Sequence, residues 1–260
     1  MKILAIANQK GGVGKTTTSV NLAASVAAMR RRVLLIDLDP QGNATMGSGV
    51  EKRDIEASVY DILVDGLPAA EAVINVESAG YGLIPANVDL TGAELELKGL
   101  GRREFRLADA LHTLREDYDW VIIDCPPSLS LLTVNGLVAA DSVLIPMQCE
   151  YYALEGLSAL VDTISRITGH LNPQLSIEGI VRTMYDPRNS LTLDVSKQLE
   201  AHFGEKVFKT VIPRNVRLAE APSYGLPVMY YDRQSRGARA YLALASEFVR
   251  RHDKAKQERN

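Results

Sequence analysis

Cysteine is nearly missing from this chain. Cys125 and Cys149 are the two present in 260 residues, too few for a disulfide framework, so a reducing cytosol is the expected compartment. No apolar run approaches the roughly 20 residues of a membrane span. The first apolar run, Ile3 to Ala7, stops at Asn8-Gln9, too short for the core of an export signal. Low-complexity blocks and internal repeats are also absent. What is present is 46% apolar and 23% charged residues, enough chain for one sizeable α/β domain. The formal charge of −3 argues against nucleic acid when taken alone. Its distribution argues otherwise, because residues 1–181 carry 14 Lys/Arg against 23 Asp/Glu while residues 182–260 carry 15 against nine. Such asymmetry suggests a basic face on an acidic body.

The most informative stretch is Lys10-Gly11-Gly12-Val13-Gly14-Lys15-Thr16-Thr17, between the apolar run Ile3–Ala7 and a helix-forming segment. A strand, then glycines, then Lys-Thr opening a helix is the context of a phosphate-binding loop. Glycines let consecutive backbone N–H groups curl around an anion, and the helix adds its positive end. Lys15 then reaches the β/γ-phosphates, and the Thr16 hydroxyl is placed for Mg²⁺. The standard loop asks for glycine five residues before Gly14, where this chain has Gln9, with a second lysine, Lys10, following it. A lysine at the start of the loop cannot easily curl back onto its own phosphates. It is placed to address a phosphate held by another subunit.

Taken in order, the chain alternates β and α patterns. A helix is expected from Thr16 to Met29. Val33–Ile36 then reads as a strand buried on both faces, ending in Asp37-Leu38-Asp39-Pro40. Carboxylates at the C-terminal edge of a central strand sit where α/β ligands bind, so Asp39 is a candidate to orient the attacking water or the metal. Val59–Val64 suggests a short helix, Tyr81–Pro85 a strand and Glu94–Lys98 a helix. A longer helix is expected from Arg103 to Glu116, with Phe105, Leu107, Ala108, Leu111 and Leu114 on one face. Trp120–Ile123 is a second buried strand, and Asp124 at its end fits the carboxylate that holds Mg²⁺. Asp141–Pro146, Ile177–Thr183 and Val207–Ile212 repeat the strand pattern. Leu154–Ile167 and Gly237–Arg251 repeat the helical one. The expected fold is therefore a doubly wound, mostly parallel sheet flanked by helices, as one P-loop ATPase domain over residues 1–260. With the loop starting at residue 10, no helix-turn-helix arm is expected ahead of it.

The KGGVGKTT loop resembles the deviant P-loop of the ParA/MinD group of ATPases. The similarity extends through DLDPQGNAT (Asp37–Thr45), IIDCPPSL (Ile122–Leu129), QCEYYALEGL (Gln148–Leu157), IPRNVRLAEAP (Ile212–Pro222) and YDRQSRGA (Tyr231–Ala238). The last of these are far more specific than any P-loop, and they point to the small, Soj-like chromosomal ParA branch. The resemblance implies an ATPase with ATP and Mg²⁺ as cofactors, which forms a homodimer with ATP and binds double-stranded DNA without sequence preference. It also implies hydrolysis stimulated by a ParB-type partner, for chromosome or plasmid segregation, a replication initiator as a further partner in some hosts, and a nucleoid-associated location.

By resemblance, Lys10 crosses the dimer interface to the partner's nucleotide, Lys15 and Asp39 serve hydrolysis, and Gly11, Gly12, Val13, Gly14, Thr16 and Thr17 complete the phosphate cradle. Thr16 and Asp124 hold the metal. Pro213 and Asn215 flank the adenine, a role that only the family supports. Arg188 and Arg217 resemble arginines that contact DNA, with Arg182, Arg214 and Arg236 as weaker candidates. Gly12 is expected where two backbones approach closely. A MinD-like membrane ATPase is the alternative, but the tail after Val249 (Arg-Arg-His-Asp-Lys-Ala-Lys-Gln-Glu-Arg-Asn) offers no apolar face to a bilayer. A redox protein of the nitrogenase iron-protein type would need cysteines placed to share a cluster, and Cys125 and Cys149 read more simply as buried small residues.

Overall fold

A computed structural model describes residues 1–257, and side chains through Asp253. The end of the basic tail, Glu258-Arg259-Asn260, and the side chains from Lys254 onward lie outside the described residues.

The chain opens with β1 (Lys2–Ile6), the glycine loop and α1 (Lys15–Ala27), then β2 (Val33–Asp37). Short helices α2 (Asn43–Gly47) and α3 (Val59–Leu63) lead to β3 (Ile74–Val76) and β4 (Tyr81–Ile84). Helices α4 (Leu90–Leu97) and α5 (Arg106–Leu111) precede β5 (Trp120–Asp124). Three β–α repeats follow in order: α6 (Leu131–Ala139) and β6 (Ser142–Gln148), α7 (Ala153–His170) and β7 (Ser176–Tyr185), α8 (Ser190–Phe203) and β8 (Val207–Pro213). The chain then crosses back through α9 (Val216–Glu220) and α10 (Val228–Tyr231) to the long helix α11 (Arg236–Gln257).

Eight strands form one sheet in the order β3-β4-β2-β5-β1-β6-β7-β8, parallel throughout except for the short edge strand β3. The central strands are apolar on both faces because both are covered. Leu4, Ile6, Val33 and Leu35 face α1 and α11, whereas Ala5, Leu34 and Ile36 face the layer of α3 to α8. This places the ends of β1, β2 and β5 side by side at the C-terminal edge, where strand order reverses and ligands bind.

Three differences from the sequence-based expectation have physical causes. The expected helix from Arg103 to Glu116 is α-helical only over Arg106–Leu111 and tightens into a 3₁₀ turn at His112–Leu114. Residues three apart eclipse in such a turn, which brings Leu114 under Leu111, and both are buried. Helix α6 gave no periodic signal because it is apolar nearly all round, and Gly136 within it lies so close to Cys125 that a Cβ would stand 3.0 Å from the sulfur. Helix α8 escaped notice because its buried stripe mixes Thr192 and Ser196 with Val195 and Leu199.

The other edge strand, β8, is held by α11, chiefly through one carboxylate, with Arg251 adding a bond to Val207 O. Glu247 of α11 accepts the backbone amides of Lys209 and Thr210, both at 2.9 Å, and the Thr210 hydroxyl at 2.8 Å. Trp120 packs at a tilt against Phe248 (4.6 Å between ring centroids) and edge-on with His252 (4.7 Å), which seats the same helix on the sheet. Glu247→Ala leaves two amides without their acceptor and should cost about 1–3 kcal/mol. Urea unfolding with an unchanged midpoint would show that the edge is held in another way.

Candidate nucleotide site

Where β1 stops, the chain is fixed before it turns. The Asn8 side chain donates to Pro146 O (2.8 Å), and its carbonyl accepts the Lys10 amide (3.0 Å). Gly12 and Gly14 then adopt left-handed φ of 73° and 85°, which side-chain-bearing residues rarely do. Gly14 caps α1, so the free amides at the helix start point into the loop. Val13 is buried, and its carbonyl accepts the Thr183 hydroxyl from the end of β7 at 2.8 Å. The loop is therefore buttressed from β6 and β7 before any ligand arrives.

Lys15 lies 7% exposed, with its ammonium 3.4 Å from the Lys10 carbonyl. Burial lowers its pKa, while the carboxylates of Asp124 and Asp39 pull it back up. Asp37 and Asp124 are Cα partners on adjacent strands, and both are fully buried. Ser19, one turn into α1, donates to Asp124 Oδ1 (2.8 Å), and the Thr16 hydroxyl also favours the Asp124 anion. Asp124 Oδ2 is buried without a hydrogen-bond partner. Burial pushes both carboxyls up, and the Asp37 charge raises Asp124 further.

These donors fit Mg²⁺. The groups available are oxygens, a hydroxyl and one carboxylate, and no cluster of three His, Cys, Asp or Glu exists among the described residues. Magnesium binds through one or two carboxylates and completes its shell with waters and substrate phosphates.

The first aspartate of the Asp37–Asp39 pair is structural. Asp37 Oδ2 accepts the Thr45 amide and hydroxyl, each at 2.8 Å, and Oδ1 accepts the Asp39 amide at 3.1 Å. Asp39 is half-buried, near Lys15 and Asp124, and accepts the Gln41 amide at 3.0 Å. Lys10 points out and pairs with Glu150 of its own chain at 2.5 Å. A Cβ on Gly12 would meet nothing of its own chain within 4 Å. Pro213 ends β8, and two residues on, Asn215 has a fully buried Oδ1 with no partner.

Arg188 and Arg217 are exposed, each in an ion pair: Arg188 with Asp186 (2.8 Å), and Arg217 with Glu220 (2.8 Å) and Asp232 (3.2 Å). Arg214 and Arg236 are exposed as well. Arg182 is not a surface residue. It is 6% exposed and bound to Ser196, Glu200 and Phe208 O, because its strand position faces α8 rather than solvent. Sequence reasoning missed Ser19, Thr183 and Glu150. Ser19 was detectable in principle, four residues after Lys15 and so on the same helical face; the other two depend on which strand ends meet.

A family model described as an AAA domain matches residues 1–177. The sporulation initiation inhibitor protein Soj of Bacillus subtilis is 56% identical over 95% of this chain and 97% of its own. The chromosome partitioning protein ParA of Caulobacter vibrioides is 53% identical over 96% and 95%. The chain belongs to the ParA/Soj family of chromosome-partitioning ATPases. Its P-loop NTPase fold recurs in the cobyrinic acid a,c-diamide synthase of Mycobacterium smegmatis, solved with ADP and magnesium, at a TM-score of 0.86 and 38% identity over 98% of this chain and 96% of that one. The synthase activity in that name is a property of that protein.

The buried carboxyl pair sets a pH dependence. Both groups hold protons more tightly folded than unfolded, so from about pH 4, the ordinary carboxylate range, toward neutrality the native state binds more protons. Their contribution to the stability of the nucleotide-free protein therefore falls as pH rises through that window. Urea unfolding at a series of pH values should show a shallower fall for Asp37→Asn than for wild type. Equal slopes would place the protons elsewhere.

Proposed function

We propose that this protein binds Mg²⁺-ATP in the loop 10–17, dimerises around it, holds DNA as the dimer, and hydrolyses ATP when a ParB-type partner stimulates it. Chromosome or plasmid segregation is the process served, on the nucleoid. The observation that carries the nucleotide reading is the buried, unpartnered Asp124 oxygen beside Thr16 and Lys15. Bound Mg²⁺ supplies charge neutralisation at the β/γ-phosphates. The chain's own groups do the rest. Lys15, already desolvated, gives its charge to the phosphates, and the amides from Gly11 to Thr17 wrap them. Asp39, held by Asp37 and the Gln41 amide, orients the attacking water. The orphaned Asn215 oxygen, with Pro213 beside it, supplies an acceptor for an exocyclic amine such as that of adenine.

Dimerisation follows from Lys10. Its pair with Glu150 is half-exposed and weak for that reason, so a partner's phosphate competes well for the ammonium. Space at Gly12 is open within its own chain, so a direct clash from a larger residue comes from a second chain, while the φ of 73° adds strain in the loop itself. With ATP, Asp39→Ala should therefore run as a dimer by size-exclusion light scattering while turning over at a small fraction of the wild-type rate, and Gly12→Val should stay monomeric. A dimeric Gly12→Val, or full hydrolysis by Asp39→Ala, would overturn these roles.

DNA binding rests on Arg188 and Arg217, with Arg214 and Arg236 near them in the basic C-terminal segment. Their ion pairs are exposed, and a phosphate backbone can displace such carboxylates. Arginine grips phosphate without reading bases, and doubling the neutralised phosphates in a dimer makes the binding depend on ATP. On non-specific duplex with ATP, Arg188→Ala with Arg217→Ala should weaken binding. The double change should also reduce the slope of log affinity against log salt by about 0.9 for each phosphate that is no longer neutralised. An intact slope with dimerisation intact would put the DNA surface elsewhere.

A further inference from the structure

Strand β7 ends in a fault. Its register to β8 runs Arg182 opposite Val211 and then Tyr185 opposite Pro213, three residues against two. One residue on β7 is therefore extra, which is a bulge. Inside it Met184 has φ 48°. Among the described residues, two other non-glycine residues share that left-handed backbone, Arg30 and Arg102, and both stand in turns rather than in a strand. Glycine or asparagine takes such a position without strain, and a long apolar side chain does not. A strained residue at a site held from all sides is a reason to ask what its side chain does.

The side chain has no employment in the core. Ile177, Ile180 and Tyr185 pack into one apolar layer and Val181 into the other, whereas Met184, half-buried, packs into neither. Its two neighbours fix where it stands. Thr183 holds the Val13 carbonyl, and its methyl group would lie 3.8 Å from a Cβ on Gly14. Tyr185 lies opposite Pro213, two residues before Asn215 and its unpartnered buried oxygen. Met184 thus sits at the strand ends between the phosphate loop and the Pro213–Asn215 stretch.

We propose that Met184 is a wall of the purine pocket, its thioether lying against the ring face, and that it sets the preference for a purine nucleotide. Methionine sulfur interacts favourably with aromatic rings, and its unbranched side chain adapts to a flat one. A bulge can re-aim a side chain, and Met184 is half-buried yet belongs to neither apolar layer, which fits a side chain turned to the strand ends. The inference deepens the nucleotide reading and rests on it.

Calorimetry with ATP, CTP and inorganic tripolyphosphate, each with Mg²⁺, tests it on the full chain as wild type, Met184→Gly and Met184→Leu. Met184→Gly should bind ATP about three- to tenfold more weakly and bind tripolyphosphate as wild type does, with a reduced ATP-over-CTP preference. Met184→Leu should recover most of the loss. Unchanged ATP affinity in Met184→Gly overturns the proposal. So does an equal loss for ATP and tripolyphosphate, which would mean that residue 184 acts only through Thr183 on the loop. A wild type that binds tripolyphosphate but gains nothing from the base overturns the Met184 role and leaves the phosphate site standing. A wild type that binds neither overturns the nucleotide reading and this role together.

Discussion

Asp37 and Asp124 end adjacent parallel strands in register, and neither carboxylate touches solvent. Removing two like charges from water is unfavourable by several kcal/mol per ion unless hydrogen bonds or a cation offset it. Much of the surrounding structure can be understood as that offset. Asp37 is satisfied internally, by Thr45 and by the Asp39 amide, and in return it shapes the turn that carries Asp39. Asp124 is satisfied on one oxygen only, by Ser19. The asymmetry separates two aspartates that are chemically the same: one builds the turn, and the other is left with a buried oxygen that no hydrogen bond satisfies.

The parallel sheet makes that arrangement possible. Parallel pairing in this order brings the C-terminal ends of β1, β2 and β5 together. Helix α1 then starts against Asp124, so its positive end and Lys15 face a charge that burial has raised in energy. Lysine and aspartate are each unfavourable in this place alone. Together with the helix end they offset one another's burial, with one Asp124 oxygen still unsatisfied.

The resulting pattern explains what was legible in the sequence. The glycine loop, the buried strands β2 and β5 and their terminal aspartates were readable because each rests on local rules: glycine at positive φ, continuous apolar runs, a carboxylate at a strand end. Helices α6 and α8 were not, since a helix apolar nearly all round, its Thr133 and Asn135 buried too, has no polar face to give it a period, and a stripe containing Thr192 and Ser196 looks like surface. Arg182 shows the same limit from the other side. Its sequence neighbourhood reads as a basic surface, yet its strand position turns it toward α8, where Ser196 and Glu200 hold it. The direction of a side chain on a strand is set by register, which one sequence does not print. Thr183 and Glu150 escaped for the same reason, being partners of Val13 and Lys10 across 170 and 140 residues of chain.

Register also determines what the segment after β8 touches. From Pro213 the chain crosses the start of α1 and is tied down at two points. Asn21 of α1 accepts the Val228 amide at 2.7 Å while its own amide group donates to Thr17 O at 2.8 Å. One side chain thus joins the crossing segment to the phosphate-loop helix. At the other point Gly225 meets Gly49, just beyond α2, so closely that a Cβ on Gly225 would stand 2.5 Å from the Gly49 Cα, and both glycines have left-handed φ. No side chain fits between these backbones, so they cannot shift independently without opening a gap or colliding. Helix α2 is in turn bound through Thr45 to Asp37, and the crossing segment carries both Asn215 and Arg217. The turn that presents Asp39 and the stretch that presents Arg217 are therefore parts of one packed unit.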